Sequence, residues 1–418
     1  MYTNDVDSSA RYLDASEADL KRYNNSVCHA LSNAPNKKEW ITIMNWFECG
    51  VIFIVAVITT VVLTPFARFI ATKFDAIDYP DRRRVNTEPI PRMGGIAIFG
   101  GVVISLCIIA IGVNIWGWTN PFVPHHDFEI NYVLLGIGFV FMFVVGAVDD
   151  VINLRAKLKL IGQVIAACLV ASSGLLLSNI QNPFVEGAFI EFGILSYPIT
   201  VFYLVAFANI INLIDGLDGL ASGISAISAG TIFTFSVFAG RYEAALLSII
   251  VVGVCIGFLK GNRHPASIFM GDSGSLVLGL ALGVVSLFAI ARSTLFISLL
   301  VPILAAGVPV TDTAVAIIRR KRAHQRVDQP DTGHIHHRLL RAGFSQNATV
   351  GIMWAWTAAL SVCSIVLAES DGFARVTAII MAAAITGFAI GKLHLLEPVL
   401  RHHYSPRHTK AKRKDPDR

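Results

Sequence analysis

The chain is 418 residues long, with 54% hydrophobic residues, 15% charged residues, a formal net charge of +5 and a mean hydropathy of +0.61. Soluble proteins are more polar, and the apolar runs here approach the roughly 20 residues that an α-helix needs to cross a bilayer. This composition excludes a soluble protein. We predict an all-α fold, a polytopic membrane protein with about eleven transmembrane helices and a polar active site at the cytoplasmic face.

The apolar runs predict eleven membrane spans in chain order. They lie near 49–70, 93–113, 131–148, 159–178, 197–214, 219–239, 244–260, 275–291, 295–318, 349–368 and 373–392. Residues 1–44 are polar and without periodicity, which predicts a disordered tail, or an extension ahead of a start at Met44. Residues 45–395 form the predicted transmembrane domain.

The predicted loops alternate in their content of Lys and Arg. Basic residues gather around 68–92, 155–159, 260–263 and 319–341 and in the basic cytoplasmic tail 396–418. Because such loops stay in the cytoplasm, an odd number of spans places the N-terminus outside and the C-terminus inside.

The basic tail would rest on anionic lipid, and we predict no nucleic-acid binding. The scattered cysteines predict neither a disulfide framework nor a metal site.

The first of four polar clusters ends the third span with Asp149, Asp150 and Asn153. Neighbouring residues on a helix point about 100° apart, so we expect unequal roles for the two carboxylates. Lys157 and Lys159 follow as candidate phosphate contacts. The alternative, an ordinary helix end, is disfavoured because acids oppose the helix dipole there.

The second cluster places Asn209, Asn212, Asp215 and Asp218 at three-residue steps within a long apolar run that glycines interrupt. This spacing predicts one polar face at a hairpin corner. Oxygen donors of this type suit Mg²⁺, which binds few carboxylates and leaves the rest of its shell to water and phosphate. A polar turn capped by Asn and Asp is the alternative.

The third cluster places Asp272 between Gly271 and Gly274, just before the eighth span. Asp272 could cap this helix, bind a metal ion, or do both. The flanking glycines would let a phosphate approach the N–H groups at the positive end of the helix.

The fourth cluster is His334-Ile-His336-His337-Arg338, in a long loop after the ninth span. A long loop inside a compact membrane domain indicates a function. Clustered imidazoles and guanidiniums suit a pyrophosphate anion. A zinc site, for which no cysteine is near, and an idle histidine cluster are the alternatives.

Together these motifs resemble the polyprenyl-phosphate N-acetylhexosamine-1-phosphate transferase family. The resemblance rests on Pro91-Arg92-Met-Gly94-Gly95, Asp149-Asp150-x-x-Asn153, Asn209-x-x-Asn212-x-x-Asp215-Gly-Leu-Asp218, Gly271-Asp272-Ser-Gly274 and Asp331-x-x-His334-Ile-His336-His337-Arg338. The order and spacing of the motifs make it specific. The histidine motif is similar to the WecA and TagO branch, which takes UDP-N-acetylglucosamine, rather than to the MraY branch, which has three consecutive histidines.

The resemblance implies transfer of N-acetylglucosamine-1-phosphate from UDP-N-acetylglucosamine to undecaprenyl or another polyprenyl phosphate, with release of UMP. This would initiate a cell-envelope polysaccharide at the bacterial cytoplasmic membrane. A route through an aspartyl-phosphate stays open. So does a homodimer.

The resemblance also implies residue roles. It gives Mg²⁺, with Mn²⁺ as the alternative ion, to Asn212 and Asp272. The implied catalytic set is Asp149, Asp150, Asp215, His334, His336 and His337. The implied substrate-binding set is Asn153, Lys157, Lys159, Asn209, Asp218, which would read the uracil, and Arg338.

Three alternative functions are weighed against this one. An enzyme that transfers phospho-N-acetylmuramoyl-pentapeptide would share the fold but differ in the histidine motif. An intramembrane, Mg²⁺-dependent prenyltransferase would leave Asp272 and the histidines idle. An ion-coupled transporter would place its acids near the bilayer midplane within internal repeats, and none is found.

Overall fold

The computed structural model describes residues 45–80, 88–122, 130–181, 189–290, 297–322, 333–370 and 372–395. The predicted tails 1–44 and 396–418 lie outside these ranges, as does Asp331 of the histidine motif. The helices in the described ranges are α1 (Trp46–Lys73), α2 (Gly95–Ile115), α3 (Tyr132–Ile152), α4 (Ala156–Ser172), α5 (Ser196–Ile214), α6 (Leu220–Phe238), α7 (Tyr242–Asn262), α8 (Gly271–Ile290), α9 (Ile297–Ala305), α10 (Gly307–Arg322), α11 (Ile335–Arg341), α12 (Gln346–Glu369) and α13 (Gly372–Lys392).

The predicted all-α membrane fold is confirmed, but the count of eleven spans is not. Within the described ranges, nine helices are long and apolar enough to cross a membrane. The predicted span near 159–178 is the 17-residue helix α4, which is somewhat short for a bilayer. The predicted span near 295–318 is divided into α9 and α10. Pro309 has no N–H to donate to the Ala305 carbonyl, so the helix is interrupted there.

Helix α8 is the centre of the bundle. Every residue from Ser273 to Ile290 is buried, and α2, α3, α5, α6 and α7 all pack against it. A helix that is apolar on all sides belongs in a protein core. Helix α13 is the opposite case, with only Ala378 and Ala382 buried.

Two glycines allow neighbouring helices to approach the first turn of α8. A Cβ atom at Gly146 of α3 would lie 2.5 Å from the Asp272 carbonyl oxygen, and one at Gly95 of α2 would lie 2.3 Å from the Ser273 carbonyl carbon. Small residues of this kind allow close helix packing in membranes. They fix the position at which α8 begins.

Two short hairpins join the helices, β1 (Ile77–Asp78) with β2 (Ile90–Pro91) and β3 (Asn179–Gln181) with β4 (Phe189–Glu191). The chain after β2 runs beside the segment that leads into α8. Phe269 N donates to Pro91 O at 2.8 Å, and Gly94 N donates to Phe269 O at 3.0 Å. This short ladder holds the Pro91-Arg92 motif against the start of α8.

Candidate active site

Polar residues from four helices meet in one cleft of about 330 Å³. They come from the end of α3, the corner after α5, the first turn of α8 and the short helix α11, and strand β1 adds Asp78. Five carboxylates and two imidazoles line it: Asp78, Asp150, Asp215, Asp218, Asp272, His336 and His337. Each of the four predicted clusters therefore contributes to the same site.

Asp150 caps the N-terminus of α8 from the neighbouring helix α3. One carboxylate oxygen accepts from Asp272 N at 2.7 Å, and the other accepts from Ser273 N at 3.0 Å and Ser273 Oγ at 2.6 Å. A carboxylate satisfies the unpaired N–H groups of a first helical turn and interacts favourably with its positive end. Gly271 has φ +70°, and a Cβ there would lie 2.6 Å from the Asp150 carboxylate.

This cap changes the expectation for the Gly271-Asp272-Ser-Gly274 motif. The N–H groups predicted to receive a substrate phosphate already donate to Asp150. Asp272 lies in the first turn of α8, and its side chain bonds to other helices instead of capping its own. A substrate phosphate therefore needs partners other than these N–H groups. The Asp272 carboxylate faces two candidates, Asn212 and Lys159.

Asp272 belongs to a cluster of three side-chain oxygens around the ammonium group of Lys159. Asn212 Nδ2 donates to Asp272 Oδ1 at 2.6 Å and to Ser275 Oγ at 2.8 Å. Lys159 Nζ of α4 donates to Asp272 Oδ2, lies 3.2 Å from Asn212 Oδ1 and lies 3.3 Å from Asp149 Oδ2. Asp149 is also held locally, because its Oδ1 accepts from Leu154 N at 2.5 Å. The two neighbouring carboxylates thus have different partners.

The donor chemistry of this cluster fits Mg²⁺. Asp272 and Asp149 supply carboxylate oxygens, and Asn212 supplies an amide oxygen, which are the ligands that this ion prefers. Within the described ranges, no group of three or more acidic, histidine or cysteine side chains is arranged to hold a metal by itself. An ion here would therefore complete its shell with water and substrate phosphate, and it would share its ligands with Lys159.

The corner after α5 carries two acids with contrasting surroundings. Burial raises the pKa of Asp215 to about 7, and the negative charges of Asp150 and Asp218 contribute to this rise. Asp218 Oδ2 lies 2.7 Å from His264 Nδ1 and accepts from Ala266 N at 3.1 Å. A cation entering the cleft would favour ionisation of Asp215.

One histidine of the fourth cluster lies in the protein interior, and the other two line the cleft. His334 is buried, and its Nδ1 lies 2.9 Å from Asp312 Oδ2 of α10, while Asp312 Oδ1 accepts from Ile335 N at 2.9 Å. His336 and His337 line the cleft with ring centroids 4.2 Å apart. Asp312 therefore fixes the backbone from which these two rings project.

His336 is almost fully buried and is held neutral. Burial lowers its pKa to about 3, with a smaller contribution from His337. Its Nδ1 has no hydrogen-bond partner in the described part of the chain. A Cβ at Gly216 would lie 2.8 Å from His336 Nε2, so a glycine at this corner is what lets the ring reach the cleft.

Arg338 is placed away from the cleft, although substrate binding was predicted for it. Its Nη1 donates to His394 O at 2.6 Å and to Leu393 O at 3.2 Å, and its Nε donates to Gly333 O at 3.1 Å. Arg319 Nη1 donates to Leu395 O at 2.8 Å. Two buried guanidiniums thus satisfy carbonyl groups just beyond the end of α13, where cations are favourable.

Four further predicted substrate contacts, Asn153, Lys157, Lys159 and Asn209, are not among the residues that line the cleft, although Lys159 contacts Asp272, which does line it. Asn209 Nδ2 donates to Gln163 Oε1 at 2.6 Å and so joins α5 to α4. Asn153 ends α3 in the left-handed conformation and accepts from Arg92 Nη2 at 2.5 Å. Lys157 is exposed on α4. The structure therefore brings Lys159, rather than Lys157, to the acidic cluster.

Sequence reasoning assigned no role to several residues that the structure places at the site. Arg92 lines the cleft, donates to Asp150 O at 3.2 Å and lies 3.9 Å from Asp78. Its motif is part of the resemblance. Asp312 carried a usable indication, because an acid inside an apolar run is costly unless it has a partner. His264 carried none, since its contact with Asp218 depends on the fold.

Comparison with known proteins identifies the family of this chain. The family description "Glycosyl transferase family 4" matches residues 132–290. A probable undecaprenyl-phosphate N-acetylglucosaminyl 1-phosphate transferase of Bacillus subtilis is 39% identical over 317 residues, covering 76% of this chain and 84% of the relative. A decaprenyl-phosphate N-acetylglucosaminephosphotransferase of Mycolicibacterium smegmatis is 33% identical over 329 residues, covering 74% and 79%.

A phospho-N-acetylmuramoyl-pentapeptide-transferase of Anoxybacillus flavithermus is less similar, at 27% identity over 319 residues, covering 74% of this chain and 93% of the relative. The similarity to the Bacillus protein spans most of both chains. The chain therefore belongs to the polyprenyl-phosphate N-acetylhexosamine-1-phosphate transferase family.

Proposed function

We propose that this protein transfers N-acetylglucosamine-1-phosphate from UDP-N-acetylglucosamine to a polyprenyl phosphate, giving polyprenyl-diphosphate-N-acetylglucosamine and UMP. The observation that carries the proposal is the cluster of Asp149, Lys159, Asp272 and Asn212 beside an acidic cleft at one end of the membrane helices. The relatives named for N-acetylglucosamine phosphate transfer, at 33–39% identity, support this sugar over the muramoyl-pentapeptide substrate.

The reaction forms one phosphorus–oxygen bond and breaks another. An oxygen of the lipid phosphate attacks the β-phosphorus of the UDP-sugar, and the bond from that phosphorus to the α–β bridging oxygen breaks, so that UMP leaves. Such transfers depend chiefly on alignment and on neutralising charge in the transition state. Lys159 is the cation placed to do this, and Asp149 orients its ammonium group. Asp150 holds the start of α8, so that Asp272 faces the same point.

Mg²⁺, with Mn²⁺ as the alternative ion, is proposed as the cofactor, held by Asp272 and Asn212. When bound, it would neutralise diphosphate oxygens and polarise the phosphorus that is attacked. The acidic cleft supports this, because a diphosphate cannot approach its carboxylates unless a cation compensates the like charges. His336 and His337 line the same cleft and are placed to donate to substrate oxygens, and Asp218 is proposed to read the uracil.

The activity can be tested with purified protein, a polyprenyl phosphate and a panel of UDP-sugars, by following UMP release. We expect turnover with UDP-N-acetylglucosamine and Mg²⁺, and none in excess EDTA, because the diphosphate charge would then be uncompensated. Full turnover in EDTA would overturn the metal proposal. Exclusive use of UDP-N-acetylmuramoyl-pentapeptide would overturn the sugar assignment.

Lys159 and Lys157 form a matched pair for testing the site. Lys159→Ala removes the ammonium shared by three oxygens, so we expect kcat to fall roughly 100-fold or more, as for other electrostatic groups at reacting phosphates. Lys157→Ala removes an exposed charge two residues away, and we expect nearly unchanged kinetics. Equal losses in the two variants would contradict the placement of the site.

We propose the bacterial cytoplasmic membrane as the location, with the N-terminus outside and the cleft and C-terminus in the cytoplasm. The alternation of Lys and Arg between loops supports this orientation. A reporter fused after Arg418 should be active only if it is one that works in the cytoplasm. Activity of a reporter that works only outside the membrane would refute this orientation. The homodimer stays a prediction, since a single chain does not test it.

A further inference from the structure

A second cavity, of about 350 Å³, lies within the membrane helices and away from the cleft. Its walls come from α2, α3, α7 and α8, and its lining side chains are aliphatic or aromatic, the hydroxyl of Tyr132 being the one polar group they carry. Water is stable in a cavity only when it finds several polar partners, so this cavity does not hold water well. We refer to it as the lateral chamber.

The lateral chamber opens sideways between α2 and α3. These two helices make few direct contacts, and one bridge between them is the stack of Phe99 on Phe143, with ring centroids 4.7 Å apart. Val103 of α2 and Val140 of α3 line the chamber and are 40% and 49% exposed on the outer surface of the bundle. In a membrane, that surface faces lipid chains.

Most of the chamber lies in the half of the membrane opposite the cleft, although its lining extends to Phe99, about 6 Å along α2 from Gly95. Phe139, which lines it, is about 16 Å along α3 from Asp150 at roughly 1.5 Å per residue, and Val284 is about 18 Å along α8 from Asp272. The hydrocarbon core of a bilayer is roughly 30 Å thick, so both residues lie beyond its middle. At the far end, Tyr132 closes the chamber with Phe122 and Phe288.

We propose that the lateral chamber binds one acyl chain of a phospholipid from the leaflet opposite the cleft. Empty apolar volume forfeits packing contacts on every wall, and the molecules at the opening are membrane lipids. The depth of most of the chamber, from Phe139 to Tyr132 along α3, favours a lipid of that leaflet over the lipid substrate, whose phosphate must reach the cleft. The bound chain packs against α3 and α8, which carry Asp149, Asp150 and Asp272 at their other ends.

Gly136 provides a direct test, because a Cβ built there meets nothing within 4 Å and the residue lines the chamber. Gly136→Leu therefore places an apolar side chain in the space of the acyl chain. Gly387→Leu on α13 is the matched control, since it is a helical glycine that is equally open and lies away from the chamber. Both variants gain the same helix propensity.

The measurement is native mass spectrometry of delipidated protein titrated with a dioleoyl phospholipid, together with thermal unfolding. For wild type and Gly387→Leu we expect one tightly retained phospholipid and a Tm that rises with added lipid. For Gly136→Leu we expect retention of the phospholipid to fall roughly tenfold, because the leucine side chain already fills the chamber. We also expect that the Tm of this variant does not change with added lipid and is not below the Tm of delipidated wild type.

Equal lipid retention in the two variants would overturn the proposal. So would an unchanged phospholipid count in Gly136→Leu with a raised KM for polyprenyl phosphate, which would assign the chamber to the isoprenoid tail. A Tm of Gly136→Leu below that of delipidated wild type would also count against it, because the chamber would not then have the described space. The lipid-retention and Tm readouts need no turnover, so they are independent of the proposed reaction.

Discussion

The site depends on one interaction, the capping of α8 by the carboxylate of Asp150. Helix α8 is buried along nearly its whole length, and a buried helix start needs partners for its free N–H groups. Asp150 supplies them from α3, and in doing so fixes the distance between the two helix ends. Asp272 in the first turn of α8 then faces Asn212 and Lys159 rather than its own helix.

The cleft collects more negative charge than its own cations offset. Lys159 and Arg92 compensate part of it, yet the neighbouring carboxylates still help to raise the pKa of Asp215 to about 7, after burial. An arrangement of this kind is unfavourable by itself and becomes favourable when a divalent cation enters. The proposed Mg²⁺ would restore this charge balance, so that the acids would no longer repel a diphosphate.

The sequence was sufficient to predict the membrane fold, most of its spans and the convergence of all four polar clusters. Apolar length and motif spacing are local properties, so they can be read directly. The division of α9 from α10 was missed because the apolar run continues through Pro302 and Pro309 without a polar residue between them. Hydropathy does not register a missing backbone N–H.

Side-chain direction within the site could not be predicted in the same way. The sequence offered Asp272 as a cap for α8, but Asp150, distant in sequence, takes that role. Arg338 stands in the histidine motif beside His337, yet its guanidinium turns to the carbonyls of Leu393 and His394. Both outcomes depend on which helices become neighbours, which is information that spacing along one segment does not contain.

The division of labour between Asp149 and Asp150 is the central claim, and side-by-side Asn variants test it most directly. The amide introduced by Asp150→Asn would turn its NH₂ group toward N–H donors of α8, so we predict that this variant lowers Tm by roughly 5 °C or more as well as reducing kcat. Asp149→Asn should lose kcat with a much smaller change in Tm, because Asp149 acts mainly on Lys159. A wild-type Tm for Asp150→Asn, or equal losses of Tm in both variants, would contradict the account.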